Sequence, residues 1–329
     1  GLLNEDGELN QIKTFDDGSF QLLISAFNYY KKKTIWIKDY MADGTLVHNY
    51  ALIPDENKSL IFGRSIKTMN NMQIVAGVYG NRLGEYSRGL FIATIDPNNI
   101  QQLRYYNYGD LKNFFNYMKA KRTNRIKERI ERRKIKGKKI KFNYRFLVHE
   151  LVQYNDQYLL LGEAFYPQYK SISSSSGFFI PSSIGSSVVR GNQIFEGYRY
   201  THAVIIGFNK DGKLIWDNSF EINDIKTFTL EQYVKLEVKP EKIVLLYLYD
   251  NEIRTKIIQG DKVLEGKSVD PIKTLHENDI IAKDNKETRK LDYWYNNYFY
   301  AYGVQNIISP SQNNSARRRV FFVNKVSYR

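Results

Sequence analysis

The sequence contains no cysteine. Disulfides, thiolate metal sites and thiol nucleophiles are therefore excluded. Histidine is scarce: His48, His149, His202 and His276 stand at wide, irregular spacing, without the local clustering a metal site needs. No apolar run reaches the ~18 residues of a membrane-spanning helix. GxGxxG, GxxxxGK[ST], GxSxG and HExxH are all absent, and with them the phosphate cradles, nucleophile elbow and zinc helix they encode. The chain starts Gly1-Leu2-Leu3-Asn4-Glu5-Asp6, without Met, a basic region or an apolar signal core, and reads as a processed or truncated chain. Absence of cysteine fits an envelope or secreted protein that avoids oxidation, and a low-cysteine cytosolic protein almost as well.

What is present favours a large β core. Apolar residues make up 42% and charged residues 26% of the 329, which excludes wholesale disorder. Aromatics reach 15%, chiefly 26 Tyr and 19 Phe, and aromatics favour strands.

Internal repetition organises the chain. Five segments are apolar strands that end in a small or aromatic residue and give way to a more polar stretch. They are QLLISAF (21–27), QIVAGVY (73–79), YLLLGEAF (158–165), KIVLLYLY (242–249) and YFYAYGVQ (298–305). Aligned on Ser25, Gly77, Gly162, Tyr247 and Gly303, their spacings are 52, 85, 85 and 56. Setting aside insertions at 109–143 and 168–196 reduces the long spacings to 50 and 56, near the range of propeller blades. Each unit places a short strand and a turn before the anchor. Those turns include Asp16-Asp17-Gly18, Asn70-Asn71, Asn155-Asp156 and Asn296-Asn297, residues that suit hairpins. A third strand follows, then a second turn, such as Ala42-Asp43-Gly44 or Asn209-Lys210-Asp211-Gly212. Four units end in a fourth strand. Four antiparallel strands in meander order form a propeller blade, and stacking such sheets buries apolar faces that no single sheet can hide. The expected fold is all-β and propeller-like, with about five four-stranded antiparallel blades and one basic helical insertion, residues 1–329 forming a single domain. A β-sandwich or several small β domains are the rivals. The segment GELNQIKTF (7–15) serves either as the first strand of its own unit or as the missing fourth strand of the last.

The string AVIIGFNKDGKLIWDNSFEI (203–222), with LLLGEAF and FFVNKVSY, resembles the repeats of secreted β-propeller proteins of Bacteroidetes type. The resemblance covers units one, three and five well, and two and four weakly. It implies adhesion, scaffold or secretion-associated roles, and carries no catalytic motif. Accessory or plug subunits of the type 9 secretion translocon belong to that group, and the repeat does not single them out.

Two insertions decorate the repeat. Residues 119–145 hold fourteen Lys or Arg against Glu128 and Glu131, so nearly all of the chain's net charge of +14 sits in one element. Leu111, Phe114, Phe115, Met118, Ile126 and Ile130 mark one apolar stripe of a helix, which Gly137 ends. The segment is either a packed helix with a solvated basic face, a docking element for an acidic surface, or a binder of polyanions or anionic membrane. Residues 171–190, SISSSSGFFIPSSIGSSVVR, are flexible by composition yet carry apolar residues. They either fold back over the scaffold or insert into a partner.

For chemistry the sequence offers little. His149-Glu150 reads as structural, and Asp43, Asp211 and Asp261 sit beside glycine in turns, where Asp serves the backbone. The tyrosines of 293–302 alternate as a strand face does. The expectation is a non-catalytic interaction subunit of a bacterial envelope or protein-secretion assembly, periplasmic or outer-membrane associated. It would have no catalytic residue, metal or cofactor. Its partner would be a large envelope or outer-membrane protein, nucleic acid not being expected. The contacts are assigned to Arg122, Arg125, Arg129, Arg132, Arg133, Lys136, Lys138 and Lys139, and to Phe178, Phe179 and Ile180. The alternatives are a glycan-active or glycan-binding propeller with carboxylates gathered at a central channel, and polyanion binding through 119–145.

Overall fold

A computed structural model describes residues 7–68, 72–81, 84, 86–138, 140–171, 189–190, 193–223, 225–282, 289–309 and 317–328. The fold is all-β and propeller-like, 61% strand and 7% helix. It divides into two compact units, Gly1–Leu230 and Glu231–Arg329.

The first unit holds three sheets. Glu8–Thr14, Phe20–Phe27, Lys33–Tyr40 and Leu46–Ala51 form the first, and Lys58–Lys67, Gln73–Asn81, Ser87–Ile95 and Gln101–Asn107 the second, each an antiparallel meander in chain order. Glu8–Thr14 pairs with Phe20–Phe27, so the N-terminal strand belongs to its own sheet. In the third sheet Gln157–Ser171 and Gln193–Asn209 pair along their whole length, from Gln157↔Asn209 to Ser171↔Gln193. The ends of segment 168–196 are therefore strand. Arg145–Val148 and Val152–Tyr154 flank this hairpin on one side, and Leu214–Glu221 on the other.

Gln73–Asn81 shows why its apolar run is continuous. Ile74, Ala76 and Val78 enter a core shared with Leu160, Val204 and Ile206 of the third sheet. Val75 and Tyr79 enter one shared with Leu23, Ile35 and Ile37 of the first. Successive strand residues point to opposite faces, and both faces are covered. Each such buried Leu, Ile or Phe contributes roughly 2 kcal/mol. Between the same sheets runs a buried polar chain: Gln73 Nε2 donates to Gln21 Oε1 (2.7 Å), as does Ser65 Oγ (2.7 Å), and Ser65 N donates to Gln11 Oε1 (2.8 Å).

The second unit holds two sheets. Lys235–Val238, Ile243–Tyr249, Glu252–Gln259 and Lys262–Pro271 form a meander. In the other, Phe299–Ile308 pairs with Ile280–Ile281 and Arg289–Tyr293 along one edge and with Arg317–Val326 along the other. Val244, Leu246, Phe299, Ala301 and Phe322 form their shared core.

The turns follow the sequence rules. Asp17 Oδ1 accepts from Ser19 Oγ (2.6 Å) and Ser19 N (3.0 Å), and Asp43 Oδ1 from Thr45 N (2.8 Å). These hydrogen bonds hold both carboxyls below the usual range.

The basic insertion departs from the expected helix at its start. Leu111 is extended and Phe114 and Phe115 lie in turns, and the helix runs only over Ala120–Ile135. The three apolar side chains are nonetheless buried. Helical spacing and an irregular segment wedged into a core both place apolar residues three or four apart, so periodicity did not separate them. The helix ends as expected. Gly137 has φ +64°, Lys138 N donates to Arg133 O (2.9 Å) and Gly137 N to Lys134 O (2.9 Å), a Schellman closure that a residue with a Cβ enters at a cost.

Candidate functional site

The site is assembled where the basic insertion meets the third sheet. Asp217, on strand Leu214–Glu221, is 3% exposed. Its carboxylate accepts from Lys112 N (2.9 Å) and Asn113 N (2.7 Å), and its carbonyl accepts from Asn113 Nδ2 (2.9 Å). Ser219 Oγ donates to Asn113 O (2.8 Å). Burial raises the Asp217 carboxyl against the lowering effect of the two amides. This clamp fixes the segment that carries Tyr117, Lys119 and Arg122. Farther on, Thr123 Oγ1, buried, donates to Phe115 O (2.9 Å) and ties the first helical turn to the same segment.

The facing wall comes from the long hairpin. Its register slips between Ala164 and Phe165, which pair with His202 and Tyr200, leaving Thr201 as an extra residue. Such a bulge re-aims neighbouring side chains. Beyond it, Tyr166 and Arg199 stand directly opposite each other, both exposed. The result is an open cleft of about 510 Å³. Tyr117, Met118, Lys119 and Arg122 line one side, Tyr166, Arg199, Tyr200 and Thr201 another, and Glu221, Ile222 and Asn223 the end. Among the described residues its charged lining is Lys119, Arg122 and Arg199 against Glu221. Tyr117 is hydrogen-bonded to Tyr144, and burial raises both phenols, so both keep their protons at neutral pH.

Behind Tyr117 lies His202. The two rings stack at 3.8 Å with 3° between planes. Phe114, Tyr144 and Phe146 present their edges or faces to the imidazole. Thr201 Oγ1 lies 2.9 Å from His202 Nδ1. Burial pushes the imidazole down to about 3. An unfolded chain takes up this proton near pH 6.5, the folded chain only near pH 3. Stability is thus complete above about pH 6.5 and is lost as pH falls toward 3. At about pH 4.5 the loss is on the order of 2–3 kcal/mol. His202→Phe keeps a ring in the cage without a proton to bind. Between pH 7 and 4.5 it should lose less stability in urea than the wild-type chain by that amount. Equal losses in both would exclude His202 as the cause.

A second polar cluster joins the first strands of the first and second sheets to the connection that follows Arg145–Val148. Arg64 Nη1 lies 3.0 Å from Glu150 Oε1, and Gln11 Nε2 donates to Glu150 Oε2. His149 points elsewhere, its Nε2 2.7 Å from Glu163 Oε1. These carboxylates are each taken up by a cation, an amide or an imidazole. Among the described residues no three His, Asp or Glu converge as a metal site.

Of the residues assigned from sequence, Arg122 lines the cleft. Arg125, Arg129, Arg132 and Arg133 are exposed along the helix, and Lys136 and Lys138 at its end. Lys139, Phe178, Phe179 and Ile180 lie outside the described residues. Sequence reasoning missed Tyr117, Tyr166, Arg199 and Glu221, since no local spacing joins them.

No family model and no curated protein matches the chain. Solved structures that resemble it include a levansucrase mutant from B. megaterium (10% identity, 99% of this chain and 82% of that one, TM-score 0.32). Another is a GH43_1 enzyme from Xanthomonas citri complexed with xylose (8% identity, 97% and 90%, TM-score 0.35). A third is a sialidase from Streptococcus pneumoniae (10% identity, 99% and 53%, TM-score 0.25). At these identities and TM-scores the likeness assigns no activity. It nonetheless corrects two expectations. The neighbours are mostly propeller-fold glycoside hydrolases, and enzymes head them, where the sequence pointed to a non-catalytic secretion subunit. That expectation rested on missing local motifs, and a site gathered from segments distant in the chain leaves none. No described helix is long and apolar enough to cross a membrane.

Proposed function

We propose that this protein binds and acts on glycans through the cleft between the basic insertion and the third sheet. The observation that carries the reading is the lining itself. Tyrosine rings beside guanidinium, carboxylate and amide groups around about 510 Å³ of open space suit a saccharide. The exposed Tyr166 ring offers an apolar face with a polar tip. Arg122 and Arg199 donate to hydroxyl or carboxylate oxygens, and the Glu221 carboxylate at the end of the cleft serves as the acid or base of turnover. The test is an oligosaccharide panel read for binding by calorimetry and for turnover by release of reducing ends. Tyr166→Ala and Arg199→Ala should each weaken binding about ten-fold, some 1.4 kcal/mol, and Glu221→Gln should abolish turnover while leaving the fold intact. A panel without a single ligand, or variants that bind as the wild type does, would overturn the reading.

A further inference from the structure

The helix Ala120–Ile135 carries charge that the cleft alone does not use. At 100° per residue, Arg122, Arg125, Arg129, Arg132, Arg133 and Lys136 fall within a sector of roughly 100°. All six are exposed. Among the described residues none of them forms an ion pair; Arg132 Nε donates only to Glu128 O (3.4 Å). The stripe begins in the cleft, whose wall includes Arg122, and extends from it for about 20 Å at 1.5 Å per residue. Glu128 and Glu131 lie outside the sector, so the stripe is of one sign.

Resting on the glycan reading above, we propose that the ligand is an acidic polysaccharide, one end seated in the cleft and the continuing chain laid along this arginine stripe. Guanidinium is the cation best matched to carboxylate and sulfate, which it holds through two parallel hydrogen bonds. Five of the six stripe positions are arginine. A membrane is disfavoured because the helix has already spent its apolar side. Thr123 is buried, and Ile126 and Ile130 pack against the core of the first unit, whereas a surface-lying helix must bury that face in lipid. Nucleic acid would use the same charge, but its affinity would come from the backbone alone and would not need the saccharide-sized cleft.

The experiment uses the 329-residue chain with polygalacturonate and its fully methyl-esterified form, which share a backbone and differ in charge. The acidic form is expected to bind more than about ten-fold tighter at low salt, the advantage shrinking as salt rises. The triple variant Arg125→Glu/Arg129→Glu/Arg133→Glu should lose at least about ten-fold of the affinity for the acidic chain while binding short neutral oligosaccharides as before. All three positions are exposed, and an unchanged melting temperature confirms the fold. Equal binding of the two polymers, or a triple variant that binds the acid as well as the wild type, overturns the proposal. So does tighter binding of duplex DNA or phosphatidylserine vesicles than of polygalacturonate. If neutral oligosaccharides bind and the arginines add nothing, the stripe proposal fails and the cleft reading stands. If no saccharide of either kind binds, both fall.

Discussion

Asp217→Ala is expected to release the insertion and to empty the cleft of one wall. The carboxylate holds the backbone N–H groups of Lys112 and Asn113 at 2.9 and 2.7 Å. Its removal leaves those donors without their acceptor, at a cost of about 2–4 kcal/mol for two charge-assisted bonds. Local unfolding carries that cost first, because the segment between Leu111 and the helix has no sheet ladder of its own. Tyr117, Lys119 and Arg122 would lose their positions together, and saccharide affinity should fall by about ten-fold or more. Asp217→Asn retains one acceptor oxygen and should fall between the two. Hydrogen exchange at the amides of Lys112 and Asn113 reads the clamp directly. Amides that stay protected in Asp217→Ala, with ligand affinity unchanged, would rule the clamp out.

The second large effect is expected at Gly77→Ala. Gly77 pairs with Gly63 across the second sheet, next to a register shift between Leu60 and Phe62. A Cβ at Gly77 would stand 2.0 Å from Phe62 O and 2.7 Å from Gly63 Cα. Both obstacles are backbone, so no rotamer change relieves them. The two strands must part within a sheet covered on both faces, which costs on the order of 3–5 kcal/mol. Urea unfolding of the variant measures it. A loss below about 1 kcal/mol would show that the sheet yields at this point more easily than a close-packed interior does.

The reach of the sequence differed from element to element. Anchor strands were legible because a strand covered on both faces has no polar alternation to dilute it. Ile243–Leu248 is buried throughout, and it reads as one apolar run. The turns were legible for a local reason as well: Asp17 and Asp43 satisfy amides two residues away, so their choice is written beside the glycine they accompany. Gly137 marked the helix end by the same logic, while the helix start did not show, since Leu111, Phe114 and Phe115 are buried by tertiary contact rather than by helical phase. The candidate site was almost wholly hidden. Arg122 was singled out for its charge, and its place in the cleft depends on Asp217, 95 residues away.

Composition and periodicity thus determined the strands, their meander order, the turns and the basic face of the helix, all of which follow from interactions within a few residues or between neighbours in the chain. Only the tertiary structure decided that Tyr117, Arg122, Tyr166, Arg199 and Glu221 share one cleft. Hydrogen bonds and packing across about a hundred residues of chain bring them together, and such contacts impose no spacing that a sequence can display.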